Sequence, residues 1–237
     1  IYSPQKTKIH IRAIDPKKLG AMYMDRFSTV EGKRDFEIRL PQSPKKLLIK
    51  IASSNKEGFK VTDIQQVKLP QYVNCLSGEK ISSFLKFAKE FSENAGILST
   101  GRYQSDNRKY TIDYLPQIVH DSGKVLTTPA RISNSTGRME ISKKSFSKMT
   151  IPMRMAILCH EFSHFYLNEV QRDEIEADLN ALTLYMGMGY PIIEAHKAFL
   201  ETFHNTPTQT NKERYTYLKT FIDNFDSLKH QICKPTP

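Results

Sequence analysis

Apolar and polar residues alternate through residues 7–14, and again through DFEIRL (35–40), KLLIKIA (46–52) and FKVTDIQQVKL (59–69). A period of two is the signature of a strand with one buried face. Pro41, Pro44, Gly58 and Pro70 separate these runs. The pattern predicts a small antiparallel β module over residues 1–72. The period then changes. In EKISSFLKFAKEFSENA (79–95) the residues Ile81, Phe84, Leu85, Ala88 and Phe91 fall on one helical face, and Gly96 follows as a stop. Three short strand-like runs come next: KYTIDYL (109–115), PARIS (129–133) and RMEIS (138–142). The last two flank Asn134-Ser135-Thr136-Gly137, a hairpin-turn sequence. From Thr150 onward the period is helical, over 151–167, 171–187, 191–203 and 211–230. Gly187, Gly189 and Pro191, then Asn205 to Pro207, break it. The expected fold class is α+β, with a second unit over residues 73–237 that combines a short mixed sheet with C-terminal helices.

Composition narrows the class. Of 237 residues, 39% are hydrophobic, 25% are charged and only 22 are Gly or Pro, which excludes a disordered or collagen-like chain. The uncharged stretch between Asp178 and Glu194 is interrupted by Asn180, Gly187, Gly189 and Pro191, so no bilayer span is expected. The opening IYSPQKTKIH lacks the apolar core of a secretory signal. Cys75, Cys159 and Cys233 are far apart and form no CxxC pair, which points to reduced thiols and an intracellular or particle-associated setting. Charge is unevenly spread. Residues 1–150 hold 27 basic against 14 acidic residues, a balance of +13; residues 151–237 hold 8 against 11, a balance of −3. A basic N-terminal part suits an acidic protein surface or nucleic acid. Its basic residues are scattered, with isolated pairs only, and no basic-aromatic motif interleaves them. Nucleic acid is therefore not the expected partner, and scattered solvated lysines are the simpler account.

The chemistry concentrates at His160-Glu161-Phe162-Ser163-His164. Two histidines at i and i+4 on a helix project from one face a turn apart, the spacing at which two imidazoles bind a single Zn²⁺. Glu161 is placed to take a proton from water on that ion and return it to a leaving amine. The flanks Ile157, Leu158, Phe162, Phe165 and Leu167 are apolar nearly all round, so the helix is buried, and buried histidines and a glutamate require a compensating partner. A third ligand is required, with the fourth position left to water. The next helix offers Asp173-Glu174-Ile175-Glu176-Ala177-Asp178. Taking Ile175, Leu179, Leu182 and Met186 as its apolar stripe puts Glu174 and Asp178 beside that stripe, and turns Glu176 toward solvent with Asp173 and Asn180. Glu174 is then the third ligand, and Asp178 orients His160 or His164 through the ring nitrogen not on the metal.

Residues 151–190 resemble the zinc metallopeptidases of the gluzincin group, whose signature is HExxH followed by a Glu, with an Asp four residues later, on a second helix. HEFSH followed by EIEADLNALTLYMGMGYP also resembles the compact immunity-regulator and phage-associated metallopeptidases. The resemblance implies a zincin-like domain in which His160, His164 and Glu174 hold one Zn²⁺, Glu161 is the general base and Asp178 supports the ligands. It also implies an edge strand ahead of the active helix that aligns the substrate backbone, with residues 138–142 the matching candidate. No oxyanion stabiliser is identifiable; Tyr185, Tyr190, His196 and Tyr215 are candidates by residue type only, and such residues more often pack or cap. Tyr215, Tyr217, Phe221 and Phe225 read as a core face.

The leading expectation is thus a zinc-dependent metalloendopeptidase acting on a protein or peptide substrate. The alternative is a non-enzymatic component of a larger assembly, such as a phage particle, that docks a protein partner through the basic N-terminal module.

Overall fold

A computed structural model describes residues 1–53, 55, 58–68, 78–205 and 208–232. The protein is mixed α and β, with two sheets among the described residues. The first is antiparallel and three-stranded, in the order β2-β1-β3, from β1 (Tyr2–Ile14), β2 (Met22–Lys33) and β3 (Leu48–Ser53). Ile9, Ile11 and Ala13 of β1 point to one face and join Tyr23, Met24 and Val30 in a small core. Ile151 closes that core from the helical part of the chain.

β2 departs from the expected elements, and its register shows why its pattern is obscure. Ala13 pairs with Met24 and Ile14 with Met22, leaving Tyr23 as an extra residue. Such a bulge breaks the period of two, so adjacent Tyr23 and Met24 are both buried. Two expected strands are absent. In 35–40, Phe36, Ile38 and Leu40 do pack on the small core, but the segment joins no ladder. Among the described residues of 59–69, which end at 68, only Lys60 makes a bridge, to Tyr2, and Val61, Ile64 and Val67 are exposed. Leu69, Cys75, Cys233 and the expected module boundary at 72/73 lie outside the described residues.

The second unit begins with α1 (Glu79–Asn94), which buries Ile81, Phe84, Phe87, Ala88 and Phe91. The second sheet runs β4-β5-β7-β6, from β4 (Gly101–Gln104), β5 (Thr111–Leu115), β6 (Ala130–Ile132) and β7 (Met139–Ser142). β5 and β7 are parallel; the outer pairs are antiparallel. The β6–β7 hairpin turns through Asn134–Gly137, where Gly137 has φ +66°. β7, the expected edge strand, is interior because β6 covers it; β6 is the edge.

After the short α2 (Lys143–Phe146) come α3 (Ile151–Tyr166), α4 (Glu174–Gly187), α5 (Ile192–Asn205) and α6 (Gln209–Ile232). Thr150 caps α3, accepting from the Met153 amide, and Pro152 sits in the first turn. Every residue of α3 from Ile151 to His164 is buried, so α3 is the axis of the main core. Asp173 caps α4 by accepting from the Ile175 and Glu176 amides. That cap starts the helix at Glu174 rather than at residue 171, and the face it buries also differs from the expected one. Ala177, Asp178, Ala181 and Leu182 are inside, whereas Ile175 and Leu179 of the expected stripe are half-buried. α6 likewise buries Arg214, Leu218 and Phe225, while Tyr215 and Tyr217 are exposed. None of these helices is long and apolar enough to cross a membrane, among the described residues.

Arg154 joins the two units. It is fully buried and donates to Phe146 O at 2.8 Å, Ser92 O at 2.7 Å and Gly20 O at 3.0 Å. Beside it, Gly20 and Gly96 approach so closely that a Cβ on either would lie under 2.8 Å from the other's backbone. The β1–β2 loop is thereby pressed onto the end of α1.

Candidate metal centre

His160 and His164 sit a turn apart on α3 with ring centroids 4.6 Å apart and planes nearly perpendicular. Their Nε2 atoms face each other at 3.1 Å. The opposite nitrogens have different surroundings, and only that of His164 makes an aligned hydrogen bond. His164 Nδ1 donates to Gln171 O at 2.7 Å, which requires a proton there because a carbonyl only accepts. His160 Nδ1 lies 2.9 Å from Asp178 Oδ1. In the neutral form with the proton on Nδ1, each ring presents an Nε2 lone pair toward the same point, as two ligands of one cation would.

Glu174 supplies the third donor. Its Oε2 is 3.5 Å from His160 Nε2 and its Oε1 is 3.6 Å from His164 Nε2. Bonds of about 2.05 Å arranged tetrahedrally put neighbouring ligand atoms about 3.3 Å apart. The three separations of 3.1, 3.5 and 3.6 Å bracket that value, so these residues fit a four-coordinate divalent ion. His160, His164 and Glu174 form a group able to hold a metal.

The electrostatics agree with the geometry. Burial opposes charge on His160, but Asp178 and Glu174 outweigh it and lift its pKa to about 10. Burial alone would raise Glu174 and Asp178; contacts with the imidazoles and with Arg214 instead hold both below the usual carboxylate range. Glu161 differs. Burial lifts it above that range despite the two histidines, and a hydrogen bond from the Ile132 backbone opposes the lift only in part. Its shift is thus opposite in direction to those of Glu174 and Asp178.

Ile132 belongs to the edge strand. The hairpin bonds Ser133 N to Arg138 O and Ser142 N to Pro129 O, so residues 129, 131 and 133 face β7. Ile132 therefore directs its amide away from β7, toward Glu161.

The sequence pattern does not reveal Arg214. It lies on α6, is buried, and donates to Asp178 through Nε at 2.7 Å and Nη2 at 2.9 Å, while Nη1 is 2.9 Å from Glu174 Oε2. The signal available was a charge on the apolar stripe that contains Leu218 and Phe225. Glu176 is not turned to solvent; it caps the preceding turn by accepting from the amides of Glu169 and Val170. Tyr185 donates to Pro191 O and Tyr190 to Gln42, so both phenols are structural. His196 and Tyr215 face each other across α5 and α6. Cys159 is fully buried, which raises its thiol pKa to about 12 and makes it a poor nucleophile. A separate cleft of about 380 Å³ between α1 and the β4–β5 hairpin, lined by Phe87, Phe91, Tyr103 and Asp106, includes none of the residues above.

Comparison with known protein families, with curated proteins and with solved structures finds no match for this chain.

Proposed function

We propose that the protein is a zinc-dependent metalloendopeptidase, with a zincin-like second unit of the gluzincin type. The observation that carries the reading is the convergence of His160 Nε2, His164 Nε2 and a Glu174 carboxylate oxygen at 3.1 to 3.6 Å. His160, His164 and Glu174 would hold the ion, which when bound makes a coordinated water acidic and polarises the carbonyl under attack. Glu161 accepts the proton of the attacking water and delivers it to the leaving amine nitrogen. Its raised pKa suits both halves of that transfer. Gln171 O holds His164 in the tautomer that leaves Nε2 free, and the Asp178 carboxylate beside His160 Nδ1 favours a proton on that nitrogen. β6 is the edge strand beside Glu161, and its outward Ile132 amide meets that carboxylate. The test is metal analysis with a proteolysis assay. Purified protein carries about one zinc, and Glu161→Gln abolishes cleavage while keeping zinc and fold. A metal-free, inactive wild type contradicts the reading.

A second reading draws on the first sheet. Its open face presents Lys8, Arg12 and Lys50, with Phe27 77% exposed and stacked on His10. Such a face suits an acidic protein partner, and the chain would then be a docking component of an assembly. Zinc retained without peptidase activity, together with a stable complex abolished by Lys8→Glu and Phe27→Asp, would favour it.

A further inference from the structure

We propose that Arg214 is a positioning residue of the metal centre, holding two of its three ligands from α6; this rests on the zinc reading above. One guanidinium spans two carboxylates a turn apart on α4. Nε and Nη2 take both oxygens of Asp178, and Nη1 takes Glu174 Oε2. Asp178, 1% exposed, in turn meets His160 Nδ1. Arg214 therefore acts on His160 through Asp178 and on Glu174 directly.

Three features make this more than a structural ion pair. First, Glu174 is the first residue of α4 and its side chain is 43% exposed, so little besides Arg214 and the imidazoles restrains its rotamer. Second, Glu174 and Asp178 are like charges at i and i+4, which repel unless a cation lies between them. Third, the contacts require a planar fork with several donors. Lysine offers a point charge and cannot reproduce both the bidentate pair and the Glu174 contact. The last helix, outside the sequence motif, is thereby a working part of the site.

The test compares wild type, Arg214→Lys and Arg214→Met for zinc affinity by chelator competition and for the visible spectrum of the Co²⁺-substituted protein. Both are measured at a temperature where circular dichroism shows each protein folded. Loss of supporting contacts to metal ligands costs about 10- to 100-fold in affinity. The expected result is zinc binding at least about tenfold weaker in both variants, with a changed Co²⁺ spectrum. Arg214→Lys recovers thermal stability relative to Arg214→Met without recovering affinity. Should Arg214→Met not fold, Arg214→Lys alone decides. A folded Arg214→Lys with zinc affinity within about twofold of wild type and an unchanged Co²⁺ spectrum overturns the proposal and leaves the zinc site standing. Wild type that takes up neither metal overturns both.

Discussion

Asp178 Oδ1 lies 2.9 Å from His160 Nδ1, joining α4 to α3 at the point where the imidazole turns its other nitrogen toward His164. The same carboxylate takes both prongs of Arg214. Asp178→Asn keeps the shape and removes the charge, leaving the buried guanidinium with Glu174 as its remaining counterion. Breaking a buried pair outright costs about 3–5 kcal/mol, which is the upper bound here. Chemical denaturation of the metal-free variant should show a loss of at least about 1 kcal/mol and below that bound, and its zinc affinity should fall as well. A variant as stable as wild type would mean that Asp178 does not neutralise Arg214.

The pH dependence of the metal-free protein follows from the same contacts. Folding raises the His160 pKa from 6.5 to about 10, so its contribution is fully present below 6.5 and is lost as pH climbs toward 10. Glu174 and Asp178 are lowered from 4.5 and 3.8, so theirs is present above those values and lost as pH falls. Melting temperature should therefore peak on the acid side of neutrality and decline from pH 6.5 to 10. Saturating zinc should flatten the alkaline decline, because the ion then takes the place of the proton on His160. A metal-free Tm that is level from pH 6.5 to 10 would count against this account.

The helices were legible in the sequence, because α1 and α3 repeat apolar residues at helical spacing and Thr150 and Pro152 mark the start of α3, whereas the Asp173 cap that starts α4 was not. The strands were less so. β2 is disguised by its Tyr23 bulge, and 59–69 alternates without burying a face. His160, His164, Glu174 and Asp178 could be singled out because i,i+4 spacing is a local property. Arg214 could not, since it meets Asp178 from 36 residues away, through the packing of α6 on α4. The edge strand was misplaced by one for a similar reason. Strand order is a tertiary fact, and β6 and β7 look alike as sequence.

Arg154 supplies an independent test of how the two units are joined. A buried carbonyl left without a donor costs about 1–3 kcal/mol. Arg154→Met removes the donor to Ser92 O and to Gly20 O, while Phe146 O keeps the Met149 amide. Equilibrium unfolding should show a loss of at least about 2 kcal/mol. A loss under about 1 kcal/mol would mean that the Ser92 and Gly20 carbonyls find other donors.

The chelator dependence of stability follows from mass action. An ion present at about 1,000 times its Kd adds about 4 kcal/mol to the folded state. Removing zinc from wild type should lower Tm by several degrees, and the same treatment should leave a His160→Ala, His164→Ala double variant unchanged.

The most direct measurement is zinc-edge X-ray absorption on protein loaded with one equivalent of zinc, with Glu174→Ala alongside. Two imidazole nitrogens and a carboxylate oxygen at about 2.0–2.2 Å in wild type, with that oxygen lost in the variant, are the predicted result. A wild-type spectrum without imidazole scattering, or one unaltered by the loss of Glu174, would contradict the three-ligand centre.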